Sequence, residues 1–312
     1  MPPSIISLLS HPKSMLKEEF QRYKSVFKNY LSVTYHAARG IYPVKGVIRG
    51  TGNVVTFNSY DQMCLFVHGI KDVSYDVGTR RLTFTSKYGR KIVFIREGGK
   101  NDEINGSICG EFGDEIYDFC DVNGRYVVDV GANIGASAIY FATRGAKKVL
   151  AFEPFPYSCR AMERNVKENN LSDVITAFNK GVGKEGFVTI DPQFVSGTQS
   201  QLKDQEKGVP IEVVSLNRIV RENMKDEYNA VLKMNCEGCK YDTIMGTDDE
   251  TLKHFSELRI DYHFGIRDLV SRLSSLEYNV RYSEPIRAHD RSSTVPDMEL
   301  GWIQANKSIP AT

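Results

Sequence analysis

No apolar stretch in the 312-residue chain approaches the roughly 20 residues that a membrane-spanning helix needs. The N-terminal "SIISLLS" is too short for the core of a signal peptide and lacks a basic start. Basic excess is missing too. The net charge is +1, and lysines and arginines are spread without a run, which argues against a dedicated nucleic-acid binder. The six cysteines are scattered, and a chain this long does not need a disulfide framework. Cys236 and Cys239 form a lone C-x-x-C, "NCEGC". Structural zinc would need two more ligands at similar spacing, so no metal is expected there, and the pair reads as a turn. Internal repeats and low-complexity segments are absent. These absences predict a cytoplasmic protein that neither spans a membrane nor binds nucleic acid.

What is present divides in two. Residues 1–110 read as a smaller α+β region. Lys13 to Ala38 carries helical apolar spacing, and Arg81 to Glu97 reads as a β-hairpin around "KYGR". "EGGKNDEING", Glu97 to Gly106, is a loop-like break. Residues 111–312 read as a second domain, in which strands and helices alternate from Tyr126 onward. "YVVDV", "KVLAFEP", "VITAFN", "AVLKMNCEG" and "ELRIDYHFG" are strands, separated by helical stretches and one less regular segment. Such alternation implies a parallel sheet covered on both faces. "YNVRYSE" and "LGWIQANK" have no helix between them, so they are expected to pair antiparallel as a long hairpin.

"VVDVGANIGASAIYFA", Val127 to Ala142, passes from strand through a glycine turn into a helix. Ligands of open parallel sheets bind at such carboxyl ends of strands. Gly131 turns the chain off the strand, and Gly135 lets the helix pack close. The helix N-terminus presents unpaired N–H groups to an anionic group. The dinucleotide fingerprint G-x-G-x-x-G has a second glycine where pyrophosphate approaches backbone. That glycine is lacking: the order is Gly131-Ala132-Asn133-Ile134-Gly135. Glu153 lies 22 positions after Gly131, at the end of the next strand. A carboxylate there can accept from both ribose hydroxyls, a pair of bonds worth about 3–6 kcal/mol before desolvation. Pro154 and Phe155 follow as an apolar surface for an adenine ring. The pattern suits an adenosine without a pyrophosphate. S-adenosyl-L-methionine fits it, with Asp129 accepting from its amino group.

Taken together, "VVDVGANIGASAIYFA", "VLAFEPFP", "NVKENN", "LKMNCEGCKYD" and "IDYHFG" resemble the FkbM-like branch of the S-adenosylmethionine-dependent methyltransferases, over about Phe112 to Lys307. The resemblance implies a Rossmann-like seven-stranded α/β methyltransferase sheet with an antiparallel last strand. It implies a methyl donor held by Asp129, Gly131, Ala132, Asn133, Gly135, Glu153 and Pro154, with Asn179 and Lys180 flanking the adenine. It also implies methyl transfer to an oxygen, often a hydroxyl on a sugar, glycan or small metabolite.

One motif departs from that family. Asn235 stands at its usual aspartate and Lys240 at its usual second glutamate, while Glu237 and Gly238 are retained. Asn235 orients groups by hydrogen bonds but cannot take a proton. Among residues at the right strand ends, Glu237 and His263 are then the candidate bases. Lys233 is a candidate for pairing with Glu237 or touching an anionic acceptor. Two readings of other classes stand beside methyl transfer. One is a non-catalytic S-adenosylmethionine-binding protein, motivated by Asn235 and Lys240. The other is a nicotinamide-dependent oxidoreductase, disfavoured by Asn133.

Overall fold

The computed structural model describes residues 13–76, 78–95, 104–192, 206–236, 239–288 and 298–307. They form two compact units, Met1–Val93 with Ile108–Asp114, and Phe94–Ser107 with Glu115–Thr312.

The first unit begins with helices α1 (Lys13–Val26) and α2 (Tyr30–Arg39). Sequence periodicity predicts one helix here, and the structure breaks it. Phe27 leaves the helix to bridge Ile48, and the Asn29 side chain bonds Lys45 O and Val47 N at 2.8 Å each. Those bonds hold Asn29 at φ −94°, ψ 36°, so tertiary pairing overrides local propensity. Strands β1 (Val44–Val47) and β2 (Val54–Phe57) pair antiparallel. Helix α3 (Tyr60–Val67) follows, N-capped by Ser59, whose side chain accepts from Gln62 N. Tyr23, Phe27, Val33, Phe57, Met63 and Val67 are buried together as this unit's core. Strands β3 (Lys71–Asp76), β4 (Arg81–Thr85) and β5 (Lys91–Ile95) form a sheet in that order. The expected hairpin is β4–β5, with Gly89 at φ +77° in its turn; β3 is an addition. The short helix α4 (Ile104–Ile108) runs into a π-helical turn, Cys109–Gly113. The loop expected over Glu97 to Gly106 falls mostly outside the described residues.

In the second unit come β6 (Tyr126–Val130), α5 (Ala136–Thr143), β7 (Lys148–Phe152), α6 (Pro156–Glu168) and β8 (Ile175–Phe178). The less regular segment resolves into a small sheet of β9 (Gly181–Val182), β10 (Gly186–Ile190) and β11 (Val209–Val214). Then follow α7 (Leu216–Asn223), β12 (Ala230–Met234), α8 (Cys239–Gly246), α9 (Asp249–Leu252), β13 (Phe255–Tyr262), α10 (Arg267–Ser275), β14 (Asn279–Tyr282), β15 (Ile286–Ala288) and β16 (Met298–Asn306). Every residue of β12 is buried, as expected for a strand covered on both faces.

The main sheet runs β14-β16-β13-β12-β6-β7-β8, and β15 pairs β16 at its edge. The pairs β13–β12, β12–β6, β6–β7 and β7–β8 are parallel, whereas β16 is antiparallel to both β13 and β14. The chain therefore starts in the middle at β6, winds out to β8, then returns to the other side at β12. Strand order reverses between β6 and β12, the crevice where open α/β sheets take ligands. The hairpin expectation holds, with one refinement: β16 inserts between β13 and β14. Among the described residues, no helix is long and apolar enough to cross a membrane.

Candidate functional site

At the reversal of strand order, the turn after β6 presses on the end of β12. Gly131 has φ +78°, and a Cβ there would lie 2.3 Å from Asn235 O. The glycine is thus required twice, by conformation and by the neighbouring backbone. Gly135, at φ +88°, meets Met162 of α6, with Cγ 2.9 Å from a built Cβ. We expect Gly131→Ala to lose about 2–3 kcal/mol of stability through left-handed strain and overpacking. Urea unfolding measures it. An unchanged midpoint would mean that the end of β12 yields freely.

The amides of the turn point at β7. Gly131 N and Ala132 N both donate to Phe152 O, at 3.0 and 3.1 Å. Asn133 N donates to Glu153 Oε2 at 2.8 Å, and Phe155 N donates to Oε1 at 3.1 Å. Asn133 sits at φ +49°, a conformation that asparagine tolerates better than most side chains. Glu153 is 4% exposed, and burial pushes its carboxyl up to about 7 despite the two backbone donors and Lys233. A carboxylate has about four acceptor positions, so two bonds leave it room to accept from a ligand. Asn179 Nδ2 donates to Glu153 O and Pro154 O at 3.0 Å each, fixing the turn that carries the carboxylate.

Beneath the turn lies a buried ion pair. Asp129 is fully buried and Lys233 is 2% exposed; Nζ is 2.8 Å from Oδ1. Lys233 Nζ also donates to Gly131 O at 3.0 Å, and Ser137 Oγ donates to Asp129 Oδ2 at 2.7 Å. Lys233 pairs with Asp129, because the two are register partners on adjacent strands; Glu237, the other expected partner, lies outside the described residues. Asp129 is bonded within the protein to Lys233 and Ser137. Phe155 is also reassigned: it is 7% exposed and packs with Val188, Ile190 and Ile211, not as an open face beside Pro154. Lys180 Nζ lies 2.7 Å from Glu212 Oε2.

After β12, Asn235 is exposed, and its amide donates to Val130 O at 3.0 Å. Cys236 and Cys239 are joined by a disulfide, which corrects the reading of "CEGC" as a plain turn. Glu237, and Gly238 with it, lies outside the described residues. Lys240, fully buried on α8, hydrogen-bonds His263 Nδ1 just beyond β13. Tyr241 Oη donates to Gly265 O at 2.6 Å and accepts from Phe264 N at 2.9 Å. The first turn of α8 is thereby tied to the end of β13. The pairing has a chemical consequence. An ammonium only donates, so a charged Lys240 makes Nδ1 an acceptor and leaves the proton on Nε2. His263 can take a proton at Nε2 only when Nδ1 carries hydrogen and Lys240 is the neutral acceptor. Sequence reasoning placed Lys240 as a missing acid and missed it as the partner of His263. Helical placement of "CKYD" against the strand end was the available signal.

Residues 129–272 match the model described as the methyltransferase FkbM domain. Over this segment the chain is similar to that family's domain. Methyltransferase 1 of Beauveria bassiana (strain ARSEF 2860) is 28% identical, over 45% of this chain and 65% of its own. Methyltransferase sdnD of Sordaria araneosa is 25% identical, over 45% of this chain and 67% of its own. The chain thus spans about two thirds of the curated relatives it matches. The solved tRNA m1G37 methyltransferase of M. jannaschii is 15% identical at TM-score 0.39, covering 74% of this chain and 58% of that one. TYW2 of M. jannaschii, solved with AdoMet, is 16% identical at TM-score 0.35, covering 72% and 85%. These TM-scores carry no argument, and the fold rests on the strand order of the main sheet.

Proposed function

We propose that the protein is an S-adenosyl-L-methionine-dependent methyltransferase whose acceptor is an oxygen, a hydroxyl on a sugar or small metabolite. The observation that carries the reading is Glu153, a buried carboxylate that accepts from two amides at the end of β7, next to the strand where sheet order reverses. Its remaining acceptor positions suit two ribose hydroxyls. The first-turn N–H groups of α5 suit the carboxylate of an amino-acid tail. When bound, the cofactor supplies a methyl group on a sulfonium that is already reactive.

The protein's part is alignment of the acceptor and removal of its proton. His263 is the proposed proton acceptor, through Nε2 in the tautomer that a neutral Lys240 permits. Asn235 orients the acceptor without titrating, and Glu237 remains a second candidate base. Asn179 holds the cofactor strand end in place. Residues 111–312 are the proposed catalytic domain.

A nicotinamide cofactor suits the turn poorly. The second glycine of the fingerprint is Asn133, and its amide is spent on Glu153 instead of facing a phosphate. Calorimetric titration is expected to show S-adenosyl-L-methionine binding and no NADH binding. The reverse result would remove the methyltransferase reading. The second reading, a binding protein without turnover, draws on the exposed Asn235 and on Lys240 as a donor toward His263. A turnover assay over a panel of hydroxylated acceptors separates the two.

A further inference from the structure

The first unit brings together three side chains that the methyl-transfer reading does not use. Cys64 lies in α3, and His68 follows four residues later, on the same helical face. Cys109 opens the π-helical turn. The two sulfurs are 3.5 Å apart, and a ligand atom from each of the three residues lies within 4.8 Å of the others. Neither cysteine is in a disulfide, both are buried, and the His68 side chain is 8% exposed.

We propose that Cys64, His68 and Cys109 bind one zinc ion. Two sulfurs at about 2.3 Å from a tetrahedral zinc stand about 3.8 Å apart, close to the separation observed here. Two thiolates and an imidazole are a soft donor set of the kind zinc takes. The surroundings supply what a metal-binding histidine usually has. His68 Nδ1 lies 3.1 Å from Asp114 Oδ1, which assigns Nε2 to the metal. Arg22 grips both oxygens of Asp114, at 3.0 and 3.1 Å, so the carboxylate is itself held. The π-helical turn closes with Asp114 N donating to Cys109 O at 2.8 Å. It therefore delivers the sulfur of Cys109 and the carboxylate of Asp114 from one turn. Gly113 completes the fit, since a Cβ there would lie 2.7 Å from His68 Cβ.

Binding forms two S–Zn bonds and one N–Zn bond and releases both thiol protons to solvent, with no change of oxidation state. The resulting centre, a dication with two thiolates, is neutral and so tolerates burial. A fourth ligand, such as water, would complete the tetrahedron. The ion would join α3 to the π-helical turn. The expectation of no metal rests on the spacing around Cys236 and Cys239; it is blind to ligands that only the fold unites.

The test is metal analysis of the full chain purified without chelator, with cobalt(II) substitution as the spectroscopic arm. One zinc per chain is expected, and the same in a Cys236→Ser/Cys239→Ser variant. Cobalt should give thiolate charge-transfer and intense tetrahedral visible bands. Cys64→Ser and Cys109→Ser should each lose the ion. Asp114→Asn, which keeps all three ligands, should weaken zinc about 10- to 100-fold in competition with a chromophoric chelator. Three results would overturn the proposal: a folded chain with neither zinc nor a cobalt spectrum, zinc that vanishes only with the Cys236→Ser/Cys239→Ser variant, or a Cys64–Cys109 disulfide in the non-reduced peptide map.

Discussion

Affinity for S-adenosyl-L-methionine is expected to rise about 25-fold between pH 5.5 and 7.5, then level off. The cause is Glu153. Burial pushes its carboxyl up to about 7, and ribose hydroxyls donate best to the ionised form. Below pH 7 the site must lose a proton before it binds well, so affinity climbs nearly tenfold per pH unit there. Glu153→Ala removes both the dependence and about 2–4 kcal/mol of binding, some 30- to 1000-fold in Kd. The same group sets a stability trend in the cofactor-free protein. Its folded value, about 7, exceeds the ordinary 4.5, so the folded state binds the extra proton. The associated stability is fully present below 4.5 and lost as pH rises through about 7. The difference corresponds to about 3 kcal/mol. Urea midpoints of parent and Glu153→Gln across pH 4.5 to 8 isolate this contribution. Parallel curves, together with pH-independent calorimetric affinity, would show that the carboxyl titrates normally and does not meet the cofactor.

Turnover is expected to fall by about 10²–10⁴ in His263→Gln while cofactor Kd stays unchanged. Glutamine keeps a hydrogen bond toward Lys240 but cannot carry the acceptor's proton away. Lys240→Gln gives the companion result. A side-chain amide both donates and accepts, so either tautomer of His263 remains open and turnover falls far less. If Lys240→Gln raises turnover, the ammonium was holding the proton on Nε2. A His263→Gln enzyme as fast as the parent would reassign His263 to packing and leave alignment, or Glu237, as the source of rate.

The central strands were legible because they are short apolar runs bounded by glycine, proline or charge. "YVVDV" became β6, and "KVLAFEP" became β7 without its last two residues. The glycine turn was legible for the same local reason, although the pressure on Gly131 comes from Asn235, a hundred residues away. Non-local facts were not legible. Nothing in "LSVTYHAAR" tells that Asn29 will be claimed by β1 and Phe27 by Ile48 just after it, so one helix became two. β10 and β11 flank a small core around Phe155, and their half-exposed alternation reads weakly as strand. The partner of Lys233 depends on register between β12 and β6, and that of Lys240 on where α8 meets β13. Neither is a spacing along the chain.

The Asp129–Lys233 pair is expected to act as a key for assembly. These residues are opposite each other on β6 and β12, strands that are distant in sequence and must find one another without a hairpin. A slip of one residue would set Lys233 against Val128 or Val130 and bury two separated charges. Breaking a buried pair in that way costs about 3–5 kcal/mol, enough to empty the misaligned alternatives. Replacing the pair together, as Asp129→Leu/Lys233→Met, is expected to keep or raise equilibrium stability while slowing refolding into a single species. Stopped-flow refolding that stays single-exponential at the parental rate would show that the apolar neighbours choose the alignment unaided. On this view the charges at the sheet's centre are kept for fidelity: they make the wrong sheet expensive more than they make the right one strong.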